Sequence, residues 1–360
     1  MRVSIVGAYG YTGHLICKEL DSAGISFSIF GRNKEKLDSL KEEFNSVSTA
    51  LDLDMRNSED VQKLIEISDV IVNCAGPFTE EAQLLVDSVA ENGKTYLDIC
   101  GEVGFVRDSW TRNHSKAQKS KALIIHGCAF ESFVADLMVQ SLIGGVSGVQ
   151  SIRSFYWFNQ KKISPGTRMT MKLSKYRELL KIDNGDWAIG DTVKDQVQVH
   201  WSNSDASFIA VPYPLPEVAY GKWNYNAKSV GSYLLLDKNQ TMFVGIGNKS
   251  NESTVDILDK IRLFKREGPT REELAAQRSV LTIEIIDKND NALCMMANSI
   301  NMYETSAVAI LLVIQKILKN PDTYSGVISP ARLFEGEENE TLGVLKVEID
   351  SDQQLIVSDV

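Results

Sequence analysis

The first stretch able to do chemistry is GAYGYTG, which sets Gly7, Gly10 and Gly13 at three-residue intervals. Glycine tolerates positive φ and lets backbone N–H groups approach a ligand, and a helix N-terminus adds partial positive charge at the same place. With an apolar strand leading into Gly7 and a helical pattern following Gly13, such a loop can cradle the pyrophosphate of a dinucleotide. The spacing departs from the usual Gly-x-Gly-x-x-Gly, and a tight strand-to-helix turn without a ligand is the simpler reading of the same glycines. Tyr9 and Tyr11 are not required by the loop chemistry itself.

The second strand favours the dinucleotide. About 20 residues past such a loop, a carboxylate would hold the ribose 2′-hydroxyl of NAD. Here FSIF leads instead into Gly31-Arg32-Asn33-Lys34. A guanidinium in that place welcomes a 2′-phosphate, which points to NADP(H); a solvated arginine at a helix start is the alternative. Asp52 and Asp54 follow the third strand, where they either lie near an adenine or cap the next element. NCAGPF, Asn73 to Phe78, follows the fourth strand and faces the crevice where open parallel sheets bind ligands. Gly76 permits close backbone approach there, Pro77 favours a helix start, and Cys74 has no base nearby in sequence to make it a nucleophile.

These residues need a parallel sheet with crossover helices, and the first 140 residues alternate apolar and helical runs in that pattern. Strands are expected at 2–7, 26–31, 48–53, 69–75, 95–100 and 122–127. Helices are expected near 13–23, 34–44, 58–66, 81–92 and 109–119, with Asn57 or Ser58 capping the third and Gly24 and Gly93 at helix ends. GGVSGV at 144–149 is a glycine-rich connection to a part richer in aromatics, with strands expected at 151–158, 167–173, 196–201, 232–237, 241–247, 279–287 and 292–300. KNDN, Lys288 to Asn291, reads as a hairpin turn, and Thr270 with Glu273 as a capping box. The fold class is therefore α/β, an N-terminal Rossmann domain with a second α+β domain on a mixed, largely antiparallel sheet. Residues 1–140 with a return helix at about 303–320 form the first domain, 141–302 a substrate or dimerisation domain, and 321–360 a C-terminal segment.

Composition limits the partners. A net charge of −10 over 360 residues offers no broad positive field, so nucleic acid is not an expected partner. Five widely spaced cysteines without a CxxC suit reduced thiols in the cytoplasm and suggest neither a disulfide framework nor a metal. The run from Ser306 to Leu318 is too short to span a bilayer and reads as a buried helix, with peripheral lipid contact the alternative.

In combination, GAYGYTG, GRN at 31–33, NCAGPF at 73–78, YLDICGE at 96–102 and GCAFESFVADL at 127–137 resemble the saccharopine dehydrogenase-like family, including its trans-acting enoyl reductase branch. SPGTRMTMK at 164–172 and SGVISPA at 325–331 add weaker matches. The chain departs from the family at Phe130-Glu131 and at Asn301 to Thr305, so the substrate of its better-known members does not carry over. The resemblance implies an NADP-binding Rossmann domain and a cofactor set of Gly7, Gly10, Tyr11, Thr12, Gly13, Arg32, Asn33, Ala75, Gly76 and Pro77. It also implies that Tyr96, Asp98 and Glu102 lie near the nicotinamide. Hydride transfer from NADPH to a small or lipid-like C=O, C=N or C=C substrate is the expected reaction, with Tyr303, Glu102, Asp136 or His126 supplying a proton. An opine-like substrate would need arginines in the second domain, where Arg153 and Arg168 are the candidates. A non-catalytic NADP-binding sensor or scaffold is the alternative, and a homodimer is expected from base rates.

Overall fold

The computed structural model describes residues 1–360 except 145, 147, 160–162, 175–177, 203–205, 238–268, 300, 351–354 and 360. The chain divides into two compact units, Met1–Phe133 with Tyr303–Leu333, and Val134–Met302 with Phe334–Val360.

The first unit opens with β1 (Val3–Val6), α1 (Tyr11–Ser22), β2 (Phe27–Gly31), α2 (Lys34–Glu43), β3 (Val47–Asp52) and α3 (Ser58–Ile67). It continues with β4 (Val70–Asn73), α4 (Glu80–Glu91), β5 (Thr95–Asp98), α5 (Val103–Ser120) and β6 (Leu123–Ile125). Each residue of β1, β4, β5 and β6 is buried, as expected of central parallel strands covered on both faces. Helix starts follow local chemistry. The Asn33 side chain accepts from the Lys36 amide and the Asn57 side chain from those of Glu59 and Asp60, which decides for Asn57 over Ser58. Helix α1 differs, because Gly10 at its N-cap has no side chain to offer.

A π-helical turn at Phe130–Val134 precedes α6 (Ala135–Ile143). The second unit then runs through β7 (Val149–Phe158), α7 (Pro165–Ser174), β8 (Leu180–Asp183), β9 (Asp186–Ile189), β10 (Val197–Trp201) and β11 (Ser207–Pro212). After these come α8 (Glu217–Trp223), β12 (Ser229–Leu236), α9 (Arg271–Ala275), β13 (Ser279–Asp287) and β14 (Ala292–Ser299). The chain returns through α10 (Met302–Lys319) and β15 (Gly326–Ile328), then ends with α11 (Glu338–Val344), β16 (Glu348–Asp350) and β17 (Leu355–Asp359).

The first unit's sheet has the order β15-β6-β5-β4-β1-β2-β3, and each neighbouring pair is parallel. Helix α10 and β15 thus bring the chain back to extend this sheet beside β6. The second unit's ten-stranded sheet has the path β16-β14-β13-β7-β12-β11-β10-β17, with the β8-β9 hairpin joined to β12. Its described pairings are antiparallel apart from β7 with β12, the mixed and largely antiparallel sheet expected.

The strand expected at 167–173 is a helix, α7. Pro165 suits a first helical position, and the Ser164 hydroxyl accepts from the Thr167 amide, so local capping overrides the apparent alternation of TRMTMKL. The strand expected at 241–247 lies outside the described residues. At the β13-β14 hairpin, the Asp287 carboxylate accepts from the amides of Asn289 and Asn291, and Asp290 takes φ 61°. The capping box holds, with the Thr270 amide donating to Glu273 and the Glu273 amide to Thr270.

Candidate functional site

The glycine loop sits at the carboxyl end of β1, between β2 and β4. Gly7 takes φ 76°, and the Gly10 amide donates to the Gly7 carbonyl at 2.9 Å. A Cβ on Gly7 would lie 2.9 Å from the Ala75 nitrogen, and one on Gly13 would collide with the Gly7 carbonyl oxygen. The loop is therefore packed backbone against backbone on the segment after β4, with space for neither side chain. Asn73 holds that segment from below: its Oδ1 accepts from the Ala75 amide at 3.0 Å and its Nδ2 donates to the Tyr96 hydroxyl at 3.1 Å. Pro77 does not open a helix, because α4 starts at Glu80 behind the N-cap Thr79. Since α1 carries no side-chain cap, its first-turn N–H groups are those an anion would engage.

At the end of β2, Arg32 is exposed and its amide donates to the Tyr9 hydroxyl at 3.0 Å. Asn33 beside it spends its side-chain oxygen on capping α2. Asp54, after β3, is bound by Arg56, which holds its carboxyl at about 2, with a smaller contribution from the Arg32 charge.

The ends of β5 and β6 are built differently. Asp98 and His126 are completely buried and meet at 2.6 Å between Oδ2 and Nδ1. A carboxylate only accepts, so Nδ1 carries the proton, and Nε2 lies 2.7 Å from the buried Ser109 hydroxyl. The other Asp98 oxygen accepts from the amides of Gly127 and Cys100, and the Asp98 carbonyl from the amide of Cys128. Burial alone would raise the Asp98 carboxyl, yet the His126 charge and these hydrogen bonds hold it below its ordinary range. Asp98, Cys100 and His126 offer ligand atoms within 4.8 Å of one another, but the Asp98 carboxylate and imidazole already engage each other. Burial pushes the thiols of Cys74, Cys100 and Cys128 well up, which leaves them protonated and poor nucleophiles.

Glu102 is buried and bridges two loops, accepting from the Phe78 amide at 3.2 Å and the Gly101 amide at 2.9 Å. Tyr303, buried at the start of α10, packs edge-on to Tyr11 with ring centroids 5.0 Å apart. Three residues later, Ser306 accepts from the Phe130 amide, so α10 braces both the glycine loop and the turn after β6. Asp136 belongs to the second unit, where it accepts from the Tyr225 hydroxyl at 2.8 Å. Of the expected proton donors, Tyr303 and Glu102 thus share a unit with the glycine loop and Asp136 does not.

Several features escape the sequence. Glu131 heads the π-helical turn after β6, and burial pushes its carboxyl up. Ser109 lies mid-helix with no local signal that it meets His126. In the second unit, Arg153 is paired with Glu284 at 2.5 Å, whereas Nε and an amino nitrogen of Arg168 are shielded from water without a hydrogen-bond partner among the described residues. Phe155, Trp201 and Phe208 are core, while Trp187 and Trp223 stack edge-on and stay half-buried.

A cavity of about 400 Å³ opens at the amino edge of the first sheet, among Lys94, Lys121, Lys316 and Tyr324. It lies at the opposite end of the strands from the glycine loop. Helices α4 and α5 end there, and Lys94 and Lys121 follow their last turns, where cations answer the exposed carbonyls.

Residues 3–125 match the family described as saccharopine dehydrogenase NADP binding domain. A saccharopine dehydrogenase-like oxidoreductase of Rattus norvegicus is 27% identical over 176 residues, 44% of this chain and 41% of that protein. A protein named as a trans-acting enoyl reductase in Mycobacterium tuberculosis is 29% identical over 145 residues, 39% of this chain and 35% of its own length. The matched stretch thus spans about two-fifths of these relatives. The saccharopine dehydrogenase (L-Glu forming) of Saccharomyces cerevisiae superimposes with a TM-score of 0.66 at 12% identity, over 99% of both chains, a likeness of fold. No helix among the described residues is long and apolar enough to cross a membrane. Residues 3–125 are thus similar to the NADP-binding domain of saccharopine dehydrogenase-like proteins, and the described fold is like that of a saccharopine dehydrogenase.

Proposed function

We propose that the chain is an NADPH-dependent oxidoreductase acting on a C=O, C=N or C=C group of a small or lipid-like molecule. The observation that carries this reading is the uncapped N-terminus of α1 behind a loop with no room for side chains at Gly7 or Gly13. In it, Gly7, Gly10, Tyr11, Thr12 and Gly13 receive the pyrophosphate, Ala75, Gly76 and Pro77 form the facing wall, and Arg32 with Asn33 receives the ribose end. The nicotinamide supplies the hydride when bound. The protein orients the substrate, excludes water and moves one proton. Both Glu102 oxygens already accept from backbone amides and Asp136 from Tyr225, so those two carboxylates read as positioning groups. Tyr303, against Tyr11 of the loop, is the proposed proton donor. Within the second unit, Arg153 is neutralised by Glu284, and Arg168 keeps Nε and an amino nitrogen without a partner among the described residues. That supply of cations is small for an opine-like amino acid.

The test is a fluorescence titration with NADPH and NADH, followed by NADPH consumption with ketone, imine and enoyl panels. Arg32→Gln should lower the preference for NADPH over NADH by about 10- to 100-fold, the range of a charge-assisted phosphate contact. Equal losses for both cofactors would remove the 2′-phosphate assignment. Tight NADPH binding without turnover on any panel would favour a sensor or scaffold. If turnover is found, an unchanged rate in Tyr303→Phe would remove Tyr303 as donor.

A further inference from the structure

We propose that Tyr9 and Lys36 complete the 2′-phosphate-selecting site that Arg32 begins, an inference that rests on the NADPH reading above. Tyr9 stands in the middle of the glycine loop, yet its side chain reaches across to β2. A Cβ on Gly31 would lie 2.5 Å from Tyr9 Cε1, so the ring occupies the space that the missing side chain leaves. Its hydroxyl oxygen accepts from the Arg32 amide at 3.0 Å. A phenol whose oxygen is engaged in this way keeps its own proton to donate, and an anion beside Arg32 is the natural acceptor. Lys36 Nζ sits 5.4 Å from the centroid of the same ring, which places a second cation over it.

Charge pairing separates these groups from their neighbours. Lys34 is paired with Asp38 at 3.2 Å and Arg56 with Asp54 at 2.5 Å. Arg32 and Lys36 make no ion pair among the described residues, in a chain whose net charge is −10. Lys36 also lies in the first turn of α2, where a cation opposes the helix dipole and an anion would relieve both. Two cations without an ion pair among the described residues and a phenol proton left to donate, around one backbone amide, suit the dianion of a 2′-phosphate monoester. The uncharged 2′-hydroxyl of NADH would use none of the charge. Tyr9 and Lys36 are thus specificity determinants, with the loop that holds the pyrophosphate also reading the far end of the adenosine.

The experiment titrates the full chain and its Tyr9→Phe, Lys36→Gln and Arg32→Gln variants with NADPH and NADH, and competes NADPH with 2′-AMP and 5′-AMP. Lys36→Gln and Tyr9→Phe should each lower the preference for NADPH over NADH, and for 2′-AMP over 5′-AMP, by about tenfold, the lower end for charge-assisted contacts at an exposed site. Lys36→Gln should also flatten the salt dependence of NADPH binding. Equal weakening of both cofactors in Tyr9→Phe would reduce Tyr9 to a brace for the loop, and an unchanged preference in Lys36→Gln would overturn the lysine's part. Lys36 is exposed, so its variant reports even if Tyr9→Phe lowers the melting temperature. If the unmodified chain itself shows no preference for NADPH, the cofactor reading falls; if only Arg32→Gln changes the preference, that reading stands and this inference falls.

Discussion

The first unit's sheet ends in two ways along one carboxyl edge. Beyond β2, Arg32 and Lys36 are exposed and make no ion pair among the described residues, and Tyr9 offers a phenol beside both. Beyond β5 and β6, Asp98, His126, Ser109 and Glu102 are buried and engaged with one another or with backbone amides. Water screens the first group, so leaving its charges uncompensated costs little and they remain available to a ligand. The second group sits where an unpaired charge would be very costly, so each polar atom's partner also becomes a structural tie. Polar side chains along this edge therefore divide into exposed ones left open to a ligand and buried ones that hold the fold.

The largest test of this division is His126→Leu. It leaves the Asp98 carboxylate buried without its hydrogen-bonded imidazole partner and should lower stability by about 3–5 kcal/mol in urea denaturation. Because the folded Asp98 carboxyl is held low, its contribution is complete above the unfolded aspartate value near 4 and is lost progressively as pH falls below it towards the lower folded value. The variant should lose that acid-sensitive part of its stability while keeping the NADPH preference of the unmodified chain. A collapse of that preference would mean the two ends are not separate. Glu102→Gln should have a middling effect. It replaces one side-chain oxygen that accepts from a backbone amide with an NH2 donor, for about 1–3 kcal/mol, and should weaken both cofactors together by loosening the segment after β4. A change in NADPH preference alone would place Glu102 with the selecting group. Asp54→Asn should have the smallest effect, within about 0.5 kcal/mol, because its pair with Arg56 is solvent-screened. With its carboxyl held at about 2, Asp54 makes its whole contribution above about 4 and loses it as pH drops towards 2, so the variant shows its full but small loss in melting curves at neutral pH and none at pH 2. A larger shift would mean that the β2 end carries fold stability after all.

The first unit was legible because its chemistry is local. An apolar strand, a glycine at positive φ and a helix start lie within a dozen residues, and parallel strands buried on both faces read as continuous apolar runs. The strand at 167–173 was misread because its alternation carried less weight than the cap from Ser164 and the proline at 165, both local signals. Short edge elements such as β8, β9, β16 and β17 gave too few residues for a period to show. Cys74 could be set aside from sequence, but the desolvation that pushes its half-buried thiol up needed coordinates.

By itself, the sequence determined the order of strands and helices in the first unit, the glycine loop and the arginine that takes the place of a carboxylate after β2. Those depend on neighbours a few residues apart, where backbone preference and periodicity act directly. Only the tertiary structure decided that Tyr9 lies against Gly31 and beside Lys36, that His126 joins Asp98 to Ser109, and that Tyr303 returns more than 290 residues later to pack on Tyr11. Pairings between distant positions are set by how the strands stack and how the last helix returns. Whether a charged group then selects a ligand or ties the fold depends on how much water that packing leaves around it.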